Sequence, residues 1–234
     1  MSWAVDNRAV KVARMQLINK WTFLGIPAII LTGSFLLSLA VFAVIPVPDA
    51  PKYSGAGQAV MWYFFALGIQ SLTLTFPFSQ GMSVSRRSFF LGTVGLFAVV
   101  ALVVSGLYVL LGMAEVATKG WGMNGRMFAL QWIADSGVGV QFLFYFALMM
   151  LLFILGFWFA TVYKRWGATG MLVLWLAVGV LLVGLVALVT WQDWWAPVGT
   201  WLAAQGPLGI TGWSLLFTAL LGGGAYLTLR RATP

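Results

Sequence analysis

Residues 139–190 read GVQFLFYFALMMLLFILGFWFATVYKRWGATGMLVLWLAVGVLLVGLVALVT. An uncharged apolar run extends to Tyr163, the basic residues Lys164 and Arg165 follow, and a second uncharged run starts at Ala168. Each run exceeds the roughly 20 residues a helix needs to cross about 30 Å of hydrocarbon. Strands of a membrane barrel alternate apolar and polar residues over about ten positions, whereas these runs are continuously apolar. The stretch therefore predicts two spanning helices joined by a short basic link.

The same signature recurs on either side. Uncharged apolar runs at about 22–45, 59–78, 88–113 and 208–229 join 139–163 and 168–190, giving an expected all-α membrane protein of six spans. Residues 1–234 are expected to form a single transmembrane domain. The first run is longer than the 7–15 residues of a signal-peptide core, so it is read as a span. The composition agrees: 62% of residues are hydrophobic and 8% charged, against about 25% charged in a soluble domain. A compact soluble protein could not clothe its surface with so few solvated groups. A cytosolic enzyme, a nucleic-acid reader and a disordered regulator are excluded.

Orientation follows the basic residues. Arg8, Lys11, Arg14 and Lys20 precede the first span, and Arg86 and Arg87 lie between the second and third. Lys164 and Arg165 separate the fourth and fifth, and Arg230 and Arg231 follow the sixth. Lys52, Lys119 and Arg126 fall on the other side, with Asp49, Glu115, Asp135 and Asp193. Both termini are thus expected to be cytoplasmic. The net charge of +8 reports topology and attraction to anionic lipid rather than nucleic acid.

The residue inventory narrows the chemistry further. With no Cys and no His, a zinc site, a disulfide framework and a Cys or His nucleophile are excluded. No run carries an ionisable residue of the kind a proton relay needs, and no GxxxxGK[ST] phosphate loop occurs. No catalytic residues, metal ligands or directly bound cofactors are expected. The neutral Gln70, Ser71, Thr73 and Thr75 of the second span either line a cavity or bond between helices.

Four segments outside the runs stand out. Residues 3–21 suit an interfacial amphipathic helix, with Arg8, Lys11 and Arg14 on one sector, serving as an anchor or also touching a cytosolic partner. The loop 79–88, SQGMSVSRRS, follows Pro77, which should kink or end the second span. Gly81 permits a sharp turn there, and Ser83 or Ser85 can cap the third span. Residues 124–136 suggest a short external helix with Asn124 as its cap and Met127, Leu130, Ile133 and Ala134 on one face. Residues 191–207 cluster Trp191, Trp194, Trp195 and Trp201 around Pro197, as an interfacial aromatic belt or as two short helices dipping into the outer leaflet. Small residues mark candidate packing faces at Ser34, Ser38, Gly92, Gly95 and Gly222 to Gly224, and Pro27 is a candidate kink in the first span.

The stretch FPFSQGMSVSRRSFFLGT at 76–93, together with the six runs, the N-terminal helix and the hydrophobic segment before the last span, resembles the permease subunits of bacterial ABC exporters of the ABC-two type. The resemblance implies a half-transporter of the bacterial plasma (inner) membrane. It would pair with a second copy or a related permease around a translocation pathway, for a cargo taken here as amphipathic or hydrophobic. A separate ATP-binding cassette subunit would carry ATP and Mg. Carried over, Gly81, Ser83, Arg86 and Arg87 would couple the spans to that ATPase, with the N-terminal helix beside it. Trp191, Trp194, Trp195, Pro197 and Trp201 would match the external re-entrant helices. The segment 114–138 departs from the family pattern in being longer than expected. A different class also fits six neutral spans: a non-transporting scaffold, immunity or sensing subunit.

Overall fold

The computed structural model describes residues 3–17, 19–46, 50–81 and 84–230. The chain runs through α1 (Trp3–Gln16), α2 (Ile26–Val44), α3 (Ala59–Gln70), α4 (Phe76–Gly81), α5 (Arg86–Ala117), α6 (Gln131–Ala134), α7 (Val138–Trp191) and α8 (Trp195–Leu229). Two two-residue strands, β1 (Lys52–Tyr53) and β2 (Gly125–Arg126), pair in parallel. Among the described residues, five helical stretches are long and apolar enough to cross a membrane: Trp21–Val44, Gly55–Gly81, Arg86–Ala117, Val138–Trp191 and Trp195–Leu229. The chain is a multi-pass helical membrane protein.

α7 holds two of the expected spans. Gly167 breaks its helical backbone with φ 65° and ψ −161°, a conformation open almost only to glycine. Along a straight helix Phe159 and Trp175 would stand about 24 Å apart, yet their ring centroids lie 5.4 Å apart. The chain thus folds back at Gly167, just after Lys164 and Arg165. α8 is likewise broken at Gly206, φ 59° and ψ −175°, and the turn brings Trp201 to 6.0 Å from Trp213. Pro197, around which the tryptophans cluster, does not separate two short helices. This proline sits in the first turn of α8, where no helical donor is lost, and the interruption falls at Gly206.

The second span widens by one turn ahead of its proline and stays helical to Gly81. Between α3 and α4, residues Ser71–Thr75 form one widened, π-type turn immediately before Pro77. A second widened turn, Trp21–Gly25, precedes α2, so Pro27 lies in the opening turn of α2 and does not kink its middle. Such single widened turns collect at functional sites.

The core lies among α2, α3, α5 and the first half of α7. Phe97 stacks on Phe153 at 3.9 Å between centroids, and Phe64 meets Phe97 edge-on. In lipid, helices gain little from hiding apolar surface from one another, so association rests on close packing. α3 and α7 achieve it through paired glycines. A methyl group on Gly68 would collide with the Phe153 carbonyl oxygen, and one on Gly156 with that of Phe65. Neither glycine is among the small residues that the sequence marks as packing faces. Of those that are, Ser38 and Gly92 are buried, whereas Gly95 and Gly223 face open space.

Candidate functional site

The basic end carries the residues expected to couple the spans to a partner. α4 closes on its own turn: Ser79 Oγ donates to the Phe76 carbonyl at 2.7 Å and Gln80 Nε2 to the Val84 carbonyl at 3.1 Å. Ser85 caps α5 as anticipated, its hydroxyl accepting from the Ser88 N–H at 3.1 Å. Gly81, the last residue of α4, is exposed. Ser83 lies outside the described residues.

The two arginines of this loop part company. Arg86 is half-buried and donates through Nη1 to the carbonyls of Arg230, at 2.6 Å, and Leu229, at 3.3 Å. It thereby satisfies the open end of α8, where a helix leaves its last carbonyls unpaired and favours a cation. Arg87 is exposed and borders a groove of about 540 Å³ with Phe90, Gly222 and Tyr226. Of the two, only Arg87 presents its charge outward.

α1 lies along α5. Val12 is buried, and Gln16 Nε2 donates to Thr93 Oγ1 at 2.7 Å, while Lys11 and Arg14 are exposed. These positions give α1 a buried and an exposed side, and the side chain of Arg8 lies outside the described residues. Gln70, Ser71 and Thr75 line a cavity of about 380 Å³ beneath α1. Thr73 and Ser71 bond back to their own helix, at the Ile69 and Gly68 carbonyls, rather than across to a neighbouring helix.

The opposite end is sealed by residues that sequence reasoning passes over. Glu115, in the last turn of α5, is fully buried. Its Oε2 accepts from the backbone N–H of Met127 and Phe128 at 2.9 and 3.0 Å and from Trp121 Nε1 at 3.4 Å, and its Oε1 accepts from the Ala129 N–H at 3.0 Å. Between them the backbone turns left-handed, with φ 51° at Lys119, 60° at Trp121 and 54° at Asn124. Such angles cost about 1–2 kcal/mol at each non-glycine residue, and the convergent N–H groups on one carboxylate offset that cost. Asn124 ends this turn and caps no helix. The expected helix over 124–136 shrinks to α6, because Gly125 and Arg126 pair with Lys52 and Tyr53.

Further bonds fasten the lid. Tyr108 donates to the Gly57 carbonyl, and Gln141 and Tyr145 both donate to the Phe128 carbonyl, at 3.0 and 2.5 Å. Lys52 Nζ closes α2 by donating to the Phe42 and Ile45 carbonyls at 2.7 and 3.0 Å. The segment 114–138, unusually long for the resembled family, is thus a folded plug. The sequence leaves one trace of it, an acid directly abutting an apolar run; the N–H groups that bind this acid, of Met127, Phe128 and Ala129, leave none.

The tryptophans of 191–207 face outward: Trp191 is 85% exposed, and Trp194, Trp195 and Trp201 are about half exposed. Pro197 is exposed too. No family model matches this sequence, and no curated protein or solved structure shows significant similarity to it. What the arrangement establishes by itself is a multi-pass helical membrane protein with one plugged end and one basic, grooved end.

Proposed function

We propose that the chain is the membrane-spanning permease subunit of an ATP-driven exporter of the ABC-two type. In this reading it crosses the bacterial plasma membrane six times with both termini cytoplasmic, Gly167 marking the turn between the fourth and fifth spans. It catalyses no reaction itself. A separate ATP-binding cassette subunit supplies ATP and Mg, and a second copy or a related permease completes the pathway for an amphipathic or hydrophobic cargo. The observation that carries the reading is the loop between α4 and α5. Ser85 caps the start of α5, and Arg87 in the first turn of that helix is held outward at the basic end. A capped helix start so close in sequence to the preceding span is suited to pass a partner's motion to both spans.

The inward turn of Arg86 onto α8 favours a second reading for that residue, in which it fastens the bundle. In the scaffold, immunity or sensing alternative Arg87 recruits another partner or only anchors the topology. Replacing Arg87 with Glu separates them. Repulsion across an interface costs several kcal/mol, whereas a lone surface charge contributes about 0–1. Under the permease reading Arg87→Glu weakens ATPase association about tenfold or more while membrane insertion is retained. Unchanged association and transport by an inserted Arg87→Glu protein would remove the loop from the coupling role.

A further inference from the structure

The turn of α7 at Gly167 and the end of α8 build two hollows that share a residue. Arg165, Thr228 and Arg230 line a concavity of about 420 Å³ at the basic end. Thr228 also lines a groove of about 600 Å³, together with Trp158 and Trp166 before the turn and Val173 and Ala177 after it. A second residue pair joins the two parts. The Arg165 guanidinium lies 4.4 Å from the centroid of the Trp166 ring, which is itself a wall of the groove.

The smaller hollow holds positive charge with nothing to balance it. Among the described residues, neither the Arg165 nor the Arg230 guanidinium donates a hydrogen bond or meets an acid. Each stands by an aromatic ring instead, Arg230 at 6.0 Å from that of Tyr226. Arg86 brings a third guanidinium to the same helix end by donating to the Arg230 carbonyl. Thr228 has spent its hydroxyl proton on the Gly224 carbonyl at 2.8 Å, so the free donors here are the two arginine forks. Such forks match the paired oxygens of a phosphate or carboxylate, and like charges sharing a hollow favour an anion between them.

The groove says that this anion carries a tail. Trp166 and Val173 line it and are also 50% and 58% exposed, so it is open to the acyl chains around the arm. Ala177 lies about ten residues beyond Gly167, or about 15 Å along the helix. That is half of the roughly 30 Å of hydrocarbon in a bilayer, the depth of one leaflet. The groove therefore starts beside the arginines and has the reach of an acyl chain.

We propose that the two hollows form one site for an anionic phospholipid, its phosphate held by Arg165 and Arg230 and one acyl chain laid in the groove between Trp158 and Ala177. The site is discrete, unlike the diffuse attraction of a basic membrane face, and it takes one lipid per chain. A zwitterionic headgroup brings its own ammonium toward the arginines and is disfavoured. The site goes beyond the exporter reading and stands without it.

The test is native mass spectrometry of the full chain, released from vesicles of equimolar phosphatidylglycerol and phosphatidylcholine with identical chains. One retained lipid per chain is expected, enriched about fivefold or more in phosphatidylglycerol. Arg165→Gln and Arg230→Gln should each cut that enrichment to about twofold or less, with thermal stability in detergent checking the fold. Arg165→Lys and Arg230→Lys keep the charge that sets topology but lose the fork, and they should lower the enrichment too. Val173→Trp, which fills the groove and leaves both arginines in place, should abolish retention. Arg14→Gln removes an exposed charge of α1 and should change nothing. Equal retention of the two lipids, or enrichment that survives the changes at both arginines, overturns the proposal. So does retention that survives Val173→Trp, or an equal loss with Arg14→Gln, which would make the attraction diffuse. Displacement of the retained lipid by glycerol phosphate would also overturn it, by identifying a soluble anion as the ligand.

Discussion

The stretch from α1 to the first half of α7 and the stretch after Gly167 are built on different terms. The first contains nearly all the buried apolar side chains, from Val12 to Val162, whereas the second contributes only Ala225 and Leu229 among the described residues. In water such an exposed arm would be a liability, but in a bilayer lipid chains solvate it as well as another helix would. What distinguishes a lipid-held arm from a packed bundle is therefore contact detail. The bundle has helices locked at carbonyl distance and polar groups paired at its plug. In the arm, a methyl group added to Gly179 or Gly184 would meet nothing within 4 Å. The arm is the half with surface left over for lipid or a second subunit.

The sharpest break of this contrast is at the plug. Glu115→Ala would strand three buried backbone N–H groups, each worth about 1–3 kcal/mol, and release a left-handed turn. A loss of about 3 kcal/mol or more is expected, read as a large fall in Tm or in folded yield in detergent. Glu115→Gln, which keeps one acceptor oxygen, should lose less. A Glu115→Ala protein as stable as the parent would mean that the plug is not part of the fold's support.

Next comes the glycine comparison. Gly156→Ala drives a methyl group into the Phe65 carbonyl, and overpacking of this sort costs about 1–3 kcal/mol. Gly179→Ala meets nothing and should be neutral or slightly stabilising, since alanine is the better helix former. Thermal unfolding of the two variants side by side measures the difference between bundle and arm, and equal effects would erase it.

The smallest effect joins the two regions. Arg86→Ala frees the Leu229 and Arg230 carbonyls at the end of α8, and loss of such a helix-end cation costs about 0.3–1 kcal/mol. Hydrogen exchange should rise in the last turn of α8 while the α3 amides stay protected. Faster exchange throughout the bundle would give Arg86 a larger share in holding it.

The helices themselves were legible because lipid imposes so simple a rule: each apolar run of adequate length became helix, including both runs of 139–190. Their union into one element hid nothing, since Lys164 and Arg165 already announced the reversal that Gly167 makes. Ser85 was legible as a cap for the same local reason. The plug was not. Glu115 is held by backbone N–H groups, which have no letter in a sequence, and the pairing of Lys52–Tyr53 with Gly125–Arg126 joins residues some seventy positions apart. Gly68 and Gly156 escape notice because glycine is frequent in membrane helices, and only the facing backbone distinguishes a locked one from Gly95. Pro197 reads as a break because proline usually is one, but in a first turn it has no bond to lose. The cavity was half legible: Gln70, Ser71 and Thr75 stood out as polar residues that either line a cavity or bond between helices, but Gln16 joins them only once α1 is laid against α5.

The exporter reading meets its most direct test in purification of the chain from its native membrane at endogenous level. The account predicts that an ATP-binding cassette subunit accompanies it in fixed stoichiometry, and that this subunit's ATP turnover in reconstituted vesicles depends on the chain and falls with Arg87→Glu. Recovery of the chain, intact and folded, with no nucleotide-hydrolysing partner, or with one whose turnover ignores both its presence and Arg87, would contradict the account.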